Sequence, residues 1–323
     1  MEKATTNQPE VVSVGTMLVE IMRIQLDEPL NQIGTFAGPF PSGDTPVYVN
    51  AVARLGRSAG FIGAVGQDGF GRCILDRFAE QGVDATHVRV LEDRTTGMAF
   101  VAYARDGSRK FIFHWRDAAA GQIGPDYVPV DYVAKAAWLH LTGGNLVITD
   151  ASYQACLRAM EALSPQARVS FDPNIRAEWL NIEGIRNQWH PIVARADYIL
   201  PSANEAMLLT GAASDEEGCR QLAAMGKIVL LKRGAQGCMV FAQGVEFAVP
   251  GFAVPEIDPT GAGDNFCAGF TVAMLDGLDL RATAVFANAV GALAVTRKGP
   301  MEGAPTRQQV AALVAAQVHV TSG

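Results

Sequence analysis

Short runs of β-branched and other apolar residues alternate with helical segments along most of the chain, and this alternation limits the fold more than any other feature. The first run is Val11–Val14, which ends at Gly15. Further strands are predicted at 59–65, 138–141, 169–171, 198–200 and 228–231. Because parallel strands need a long crossover, usually a helix, the pattern predicts an α/β fold with a mostly parallel central sheet and helices on both faces.

Two segments depart from this pattern and predict a second, smaller β element. Glu20–Leu26 alternates apolar and polar residues with period two, as expected of a strand with one face against solvent or a ligand. Met98–Arg105 and Arg109–Trp115 flank the turn Asp106-Gly107 and predict an antiparallel hairpin. The smaller element is therefore expected to come from two stretches, about residues 16–38 and 93–117.

Composition excludes several classes of function. The 323 residues include 26 Lys and Arg against 33 Asp and Glu, a formal charge of −7, which argues against a nucleic-acid partner bound by bulk electrostatics. The five Cys lack paired or metal-type spacing, and no apolar run reaches the ~18–20 residues of a membrane span. Without repeats, long linkers or an apolar signal segment, the sequence predicts one cytoplasmic domain over residues 1–323, with a small-molecule partner and no membrane contact.

The segment Asp258–Phe266 carries the strongest chemical signal. Gly261, Ala262 and Gly263 stand where a long apolar helix is predicted to begin, and Asp264 follows at once. Amides at a helix start bind anions, because their N–H groups have no partner within the helix and the dipole favours negative charge. Asp264 could simply cap the helix, but a base beside a phosphate site is what phosphoryl transfer to an alcohol requires. The chemistry favours the catalytic interpretation and leaves capping open.

Asp258–Asp264 resembles the C-terminal signature of the ribokinase-like carbohydrate kinases of the PfkB family, usually Asp-Thr-x-Gly-Ala-Gly-Asp. Gly38–Gly56 and Val65–Gly71 resemble the family's N-terminal signature region, and Phe171–Arg176 resembles a stretch common in its sugar and sugar-acid kinases. The resemblance covers nearly the whole chain. It implies a three-layer sandwich with a mostly parallel central sheet and a small β-sheet lid, and the activity of an ATP-dependent phosphotransferase.

Carried over to this sequence, the resemblance implies Asp264 as the catalytic base and the amides of Gly261, Ala262 and Gly263 as the anion hole. The residues implied at the nucleotide are Lys232, Gly234, Gly237, Thr260 and Asn288. Mg²⁺ is expected with ATP, held through Glu205 and Asp258, and many members also respond to K⁺ near the 258–260 loop. The lid, expected to cover the sugar, is often the dimer surface in this family, which implies a homodimer.

The sugar is expected to contact six positions, namely Glu20, Gly43, Asp44, Arg116, Asn174 and Arg176. Three positions depart from the family pattern. Glu20 replaces a frequent Asp, Val47 stands where an Asn is common, and Ser202 replaces the Asn of an Asn-x-x-Glu motif that retains Glu205. The departures bear on the shape of the sugar pocket and on the geometry of the metal site, and they leave the reaction class unchanged.

The acceptor stays open between two classes of carbohydrate. Arg116 and Arg176 would suit the carboxylate of a sugar acid such as 2-keto-3-deoxygluconate, because a guanidinium fork matches a carboxylate. A neutral fructose- or ribose-like sugar fits the remaining positions equally well. Two alternatives also remain, a nucleoside kinase and a non-catalytic sugar or nucleotide sensor on the same fold.

Overall fold

A computed structural model describes residues 8–105, 108–175 and 182–321 of the chain. Its strands are β1 (Val11–Val14), β2 (Leu18–Arg23), β3 (Phe36–Ser42), β4 (Ala59–Gly66), β5 (Asp84–Leu91), β6 (Gly97–Tyr103), β7 (Arg109–His114), β8 (Trp138–Thr142), β9 (Arg168–Asp172), β10 (Tyr198–Ile199), β11 (Ile228–Lys232), β12 (Cys238–Ala242) and β13 (Val245–Val249). Its helices are α1 (Asp44–Arg54), α2 (Gly69–Gln81), α3 (Val130–Val133), α4 (Gly143–Leu146), α5 (Asp150–Ala162), α6 (Ile182–Arg195), α7 (Glu205–Thr210), α8 (Asp215–Ala224), α9 (Ala262–Leu275), α10 (Leu280–Ala294) and α11 (Arg307–Thr321). The predicted turn Asp106-Gly107 lies outside the described residues.

Within the described ranges the central sheet has nine strands in the order β13-β12-β11-β10-β9-β8-β1-β4-β5. Neighbours from β5 to β11 run parallel, whereas β12 and β13 pair antiparallel at one edge. The mostly parallel sheet predicted from the sequence is thus confirmed. Because the carboxyl ends of parallel strands meet at one edge of a sheet, the residues at the ends of β1, β8, β9 and β11 come close together there.

Helices cover both faces of the central sheet, which gives the predicted three layers. Side chains of β1 alternate between two cores, as the period of a strand requires. Val11 belongs to the core shared with α1, α9 and α10, whereas Val12 and Val14 belong to the core shared with α5, α6 and α8. The sheet is therefore buried on both sides, as the continuous apolar runs in the sequence indicated.

The described residues also form a second sheet, with four strands in the order β3-β2-β6-β7, which stands apart from the central one. Strand β2 pairs antiparallel with β3 and parallel with β6, and β6 and β7 form the predicted hairpin. Strand β3 had no counterpart in the sequence-based prediction, and it extends the second sheet four residues beyond position 38, to Ser42. The sequence analysis also did not predict β5, β12 and β13.

Candidate active site

The start of α9 is built to present backbone amides. Gly261 has a φ of 77°, a left-handed conformation that favours glycine, and a Cβ there would lie 2.5 Å from the carbonyl oxygen of Pro300. Asp264 lies in the first turn of the helix. The first-turn N–H groups have no partner within the helix and mark the positive end of its dipole. Gly261, Ala262 and Gly263 therefore stand at an anion-binding helix start, with the Ala262 N–H also donating to the carbonyl oxygen of Pro259 at 3.3 Å.

Two clefts meet at this helix start. The polar cleft, of about 970 Å³, is lined by residues of both sheets and α9, among them Thr16, Glu20, Asp44, Asp172, Glu205 and Asp264. The apolar cleft, of about 1120 Å³, is lined by residues that include Gly234, Gly237, Phe252, Val254, Phe266 and Asn288. Four residues line both clefts, namely Lys232, Pro259, Ala262 and Gly263. The glycine-rich helix start is thus shared by two adjoining binding spaces.

Two acidic side chains lie in the polar cleft at the junction of the two sheets. Glu20, on β2, is buried and its Oε1 accepts a hydrogen bond from the Ser42 hydroxyl at 2.7 Å. Asp44, at the start of α1, accepts a hydrogen bond from the Thr142 hydroxyl at 2.5 Å. The Asn145 amide donates to the same carboxylate at 3.3 Å. Both acids are thereby fixed in orientation by neighbouring polar groups, which suits the recognition of hydroxyl groups.

One wall of the polar cleft comes from alternate residues of the hairpin. Arg109, Phe111, Phe113 and Trp115 all line it. The rings of Phe111 and Phe113 stack with centroids 5.3 Å apart, and those of Phe113 and Trp115 stack at 4.2 Å. Arg116 is exposed, lies in the turn that follows β7, and is absent from the described lining of either cleft. None of the four residues of this wall was among the positions predicted at the sugar.

A buried charged cluster lies at the carboxyl ends of β9 and β11. Lys232 Nζ donates to Asp172 Oδ2 at 2.5 Å, and Cys267 Sγ lies 3.3 Å from the same oxygen. Burial alone would lower the pKa of Lys232, but the charge of Asp172 raises it above its usual range on balance. Burial, with a further contribution from Asp172, raises the pKa of the Glu205 carboxyl to about 7. The raised pKa favours the charged form of this lysine, which lines both clefts.

Glu205 holds two loops of this cluster together. Its carboxylate accepts the N–H of Ile175 at 2.7 Å and the N–H of Ser202 at 2.5 Å. Asn174 lines the polar cleft, and its N–H donates to Asp172 at 3.1 Å. Arg176, predicted at the sugar, lies outside the described residues.

The loop before α9 is organised by a buried carboxylate. Asp258 Oδ1 accepts the N–H of Thr260 at 3.0 Å and the hydroxyl of Tyr103 at 3.2 Å, and Oδ2 accepts the N–H of Gly299 at 2.9 Å. Thr260 lines the polar cleft, but Asp258 lines neither cleft. Within the described ranges no group of three or more metal-ligating side chains is preassembled.

Asn288 shapes the apolar cleft by holding its rim. Its side-chain amide donates to the carbonyl oxygens of Val249 and Pro250, both at 3.1 Å. Gly237, at a φ of 88°, packs its Cα close to the same strand end. Asn288 therefore lines the cleft while its amide N–H groups face the backbone of the rim.

Comparison with known proteins gives the family. The sequence model described as pfkB family carbohydrate kinase matches residues 8–307. The chain belongs to this family. It is 34% identical over 315 residues to fructokinase-1 of Zea mays, covering 94% of this chain and 97% of that protein.

Solved structures agree with this pfkB assignment. A putative ribokinase II from E. coli, in complex with ATP and Mg²⁺, superposes with a TM-score of 0.90 at 35% identity, covering 95% of this chain and 99% of that one. A double mutant of fructokinase from Vibrio cholerae O395, bound to fructose, ADP and potassium ion, gives a TM-score of 0.80 at 28% identity, covering 96% and 99%. The predicted family and fold are confirmed, and the pfkB chain is an ATP-dependent sugar kinase. Among its described helices, none is long and apolar enough to cross a bilayer.

Proposed function

We propose that this kinase transfers the γ-phosphate of ATP to a primary hydroxyl of a neutral ketose such as fructose, with Asp264 as the general base. The observation that carries the proposal is the junction of the two clefts at the start of α9, where Asp264 lines the polar cleft and Ala262 and Gly263 line both. An acceptor in the polar cleft and a nucleotide in the apolar cleft would meet at this point. The named fructokinases among the relatives support the same acceptor class.

The charge of the polar cleft favours a neutral sugar over a sugar acid. Its described lining contains five carboxyl groups, on Glu20, Asp44, Asp172, Glu205 and Asp264. It contains two cations, and one of them, Lys232, is already paired with Asp172. A substrate carboxylate would add negative charge to an acidic site, whereas sugar hydroxyls donate to carboxylates. Arg109, the other cation of the described lining, compensates this negative charge only weakly because it is exposed to solvent.

The proposed reaction needs few groups. Asp264 accepts the proton of the sugar hydroxyl while that oxygen attacks the γ-phosphorus, and the bond from phosphorus to the bridging oxygen breaks to release ADP. The amides of Gly261, Ala262 and Gly263 stabilise the negative charge on the transferred group. Lys232 supplies a fixed positive charge beside both clefts. The second sheet, as a lid, excludes water that would compete as acceptor.

Mg²⁺ fits this set of donors. It prefers oxygen ligands, keeps several waters and is usually held by one or two carboxylates together with substrate phosphates. Glu205 and Asp172 line the polar cleft near the cluster and would hold the ion, which neutralises phosphate charge when bound. Asp258 suits a structural role better, because it lines neither cleft and its oxygens hold the loop before α9 together. K⁺ near the 258–260 loop stays a prediction supported by a potassium-bound relative.

A panel of ATP-consumption assays tests the proposal. Fructose, ribose, 2-keto-3-deoxygluconate and a nucleoside are compared at equal concentration, and fructose is expected to give the highest kcat/KM. A higher kcat/KM for the sugar acid would overturn the neutral acceptor, and one for the nucleoside would favour a nucleoside kinase. Ligand-induced thermal shifts without turnover would instead favour a non-catalytic sugar or nucleotide sensor. The altered motif positions Val47 and Ser202 lend that alternative some support.

The outer face of the second sheet supports a homodimer through the lid. Ile112 is 55% exposed, and it pairs across the hairpin with Phe100, which packs edge-on against Phe36. An apolar row on an exposed sheet face is typical of an interface. Light scattering of the wild type and of Ile112→Glu tests this dimer, and a monomeric wild type would overturn it.

A further inference from the structure

Tyr103 connects the second sheet to the loop that precedes α9. It is the last residue of β6 and pairs across the hairpin with Arg109 of the cleft wall. Its hydroxyl lies 2.6 Å from Thr260 Oγ1 and 3.2 Å from Asp258 Oδ1. A side chain of the lid sheet therefore touches the turn from which the glycine-rich helix start emerges.

The direction of these hydrogen bonds follows from the chemistry of the three groups. Burial, reinforced by the nearby charge of Asp258, raises the pKa of Tyr103 far above its usual value, so its hydroxyl stays protonated. A carboxylate only accepts, so the tyrosine proton points to Asp258. The Thr260 hydroxyl can then donate to the tyrosine oxygen, which gives a continuous chain from Thr260 through Tyr103 to Asp258.

This series of hydrogen bonds closes a turn that other contacts of Asp258 already stabilise. Asp258 also binds the N–H groups of Thr260 and Gly299, so its carboxylate ties three segments together. Thr260 directly precedes Gly261, whose left-handed conformation sets the direction in which α9 begins. A rotation of Thr260 would therefore tilt the first-turn amides relative to a bound phosphate.

We propose that Tyr103 is a positioning residue for phosphoryl transfer, which acts from the lid sheet by fixing Thr260 and Asp258 and so orienting the amides of Gly261–Gly263. The inference rests on the proposed function, in which those amides stabilise the transferred group. The lid then has a second role, because the position of the second sheet determines how the anion-binding amides are oriented. Tyr103 itself does not need to touch the substrate.

Tyr103→Phe removes the hydroxyl alone and tests the inference without knowledge of the sugar. The readout is calorimetric binding of ADP with Mg²⁺, in the absence and presence of fluoroaluminate, which mimics the transferred phosphoryl group. Affinity for the ADP–fluoroaluminate pair is expected to fall about tenfold, with affinity for ADP alone changed less than about twofold, because the amides act mainly on the transition state. With a sugar that the wild type turns over, kcat should fall about tenfold at nearly constant KM for both substrates.

Tyr153→Phe is the matched control, because it also deletes one hydroxyl. Tyr153 donates to the carbonyl oxygen of Gln188 at 2.7 Å and lines neither cleft. It should leave both affinities and kcat unchanged. Undiminished fluoroaluminate affinity in Tyr103→Phe, or equal losses in both variants, would overturn the inference.

Thr260→Val removes the other hydroxyl of the same hydrogen bond. It tests the inference independently if Tyr103→Phe proves unstable. It should weaken ADP–fluoroaluminate binding with little effect on ADP, and the double variant should be no weaker than the poorer single variant. If the two losses of affinity multiply in the double variant, the two hydroxyls act independently. That result would contradict the series of hydrogen bonds from Thr260 through Tyr103 to Asp258. A wild type that binds the analogue yet phosphorylates no neutral sugar would refute the proposed acceptor only.

Discussion

Lys232 Nζ lies 2.5 Å from Asp172 Oδ2, and Lys232 is one of the few residues that line both clefts. The two residues are 60 positions apart and occupy the carboxyl ends of β11 and β9, which flank β10 in the central sheet. The ion pair is almost fully buried, with side-chain exposures of 10% and 2%. It therefore places a fixed charge pair at the junction where acceptor and nucleotide are expected to meet.

Breaking this pair should destabilise the protein. Lys232→Met leaves the Asp172 carboxylate buried without its cation, and the free energy of unfolding is expected to fall by roughly 3–5 kcal/mol. Urea denaturation measures the change, with Lys135→Met, at an exposed position, as a control expected to stay within about 0.5 kcal/mol. Lys232→Met/Asp172→Asn should recover part of the loss, and a double variant as unstable as the single one would contradict the explanation.

Asp264→Asn should abolish catalysis while the fold is kept. The amide cannot take the proton from the sugar hydroxyl, so kcat is expected to fall about 10²-fold or more, with little change in ATP affinity. Asp279→Asn is the control for the same chemical change outside the clefts, since Asp279 caps α10 and Asn is an equally good N-cap. Near-normal turnover in Asp264→Asn would rule out that residue as the base.

Glu20→Gln should weaken binding of the sugar and leave binding of the nucleotide nearly unchanged. Glu20 lines the polar cleft on the lid side, so loss of its charge should raise the KM for fructose about tenfold, the effect of roughly 1.5 kcal/mol. The KM for ATP should stay within about twofold. Glu92→Gln, at an exposed position, should change neither constant. Equal effects on both substrates in Glu20→Gln would argue against a sugar contact.

His140 should make stability depend on pH. It is fully buried on β8, stacks on Tyr48 at 3.9 Å and lies 2.8 Å from the Ser170 hydroxyl. Burial lowers its pKa to about 3, with opposite contributions from Asp172, which raises it, and Lys232, which lowers it. The unfolded chain binds a proton below about pH 6.5, so stability should fall as the pH drops from 6.5 towards 3.

The matched comparison for this pH effect is His140→Gln. The difference in unfolding free energy between wild type and variant should change by about 1.4 kcal/mol per pH unit below 6.5. Chemical denaturation at several pH values measures it. A difference that is constant from pH 7 to pH 4 would show that His140 does not titrate in this way.

The central sheet and the start of α9 could be predicted from the sequence because their signals are local. Buried parallel strands appear as short continuous apolar runs, and Gly261–Gly263 mark a helix start that must admit a ligand. Strands β5 and β13 were missed because they lie at the two edges of the sheet, where exposed polar residues interrupt the pattern. Strand β12 is a continuous apolar run of five residues, a signal that the sequence analysis overlooked. The hairpin turn Gln243-Gly244 between β12 and β13, with Gly244 at a φ of 75°, was an available signal.

The cleft wall shows what a sequence pattern leaves undetermined. Alternation in β7 places the odd-numbered residues on one face and the even-numbered residues on the other, but the pattern alone does not say which set faces the site. That choice depends on how the second sheet packs against the α9 loop, a contact made through Tyr103 and Thr260, 157 residues apart. The pairing of Lys232 with Asp172 was hidden for the same reason, since it requires the strand order.

Among the described strands, β7 is the outermost of the second sheet and pairs with β6, yet four consecutive odd-numbered positions from Arg109 to Trp115 form one wall of the polar cleft. Tyr103, at the end of the neighbouring strand β6, is proposed to orient the phosphate-binding amides of α9, so the two strands of one hairpin serve different ends of the reaction. Substitutions confined to β7 can therefore reshape the acceptor cleft while the phosphate site is kept, whereas replacement of the whole hairpin would alter both.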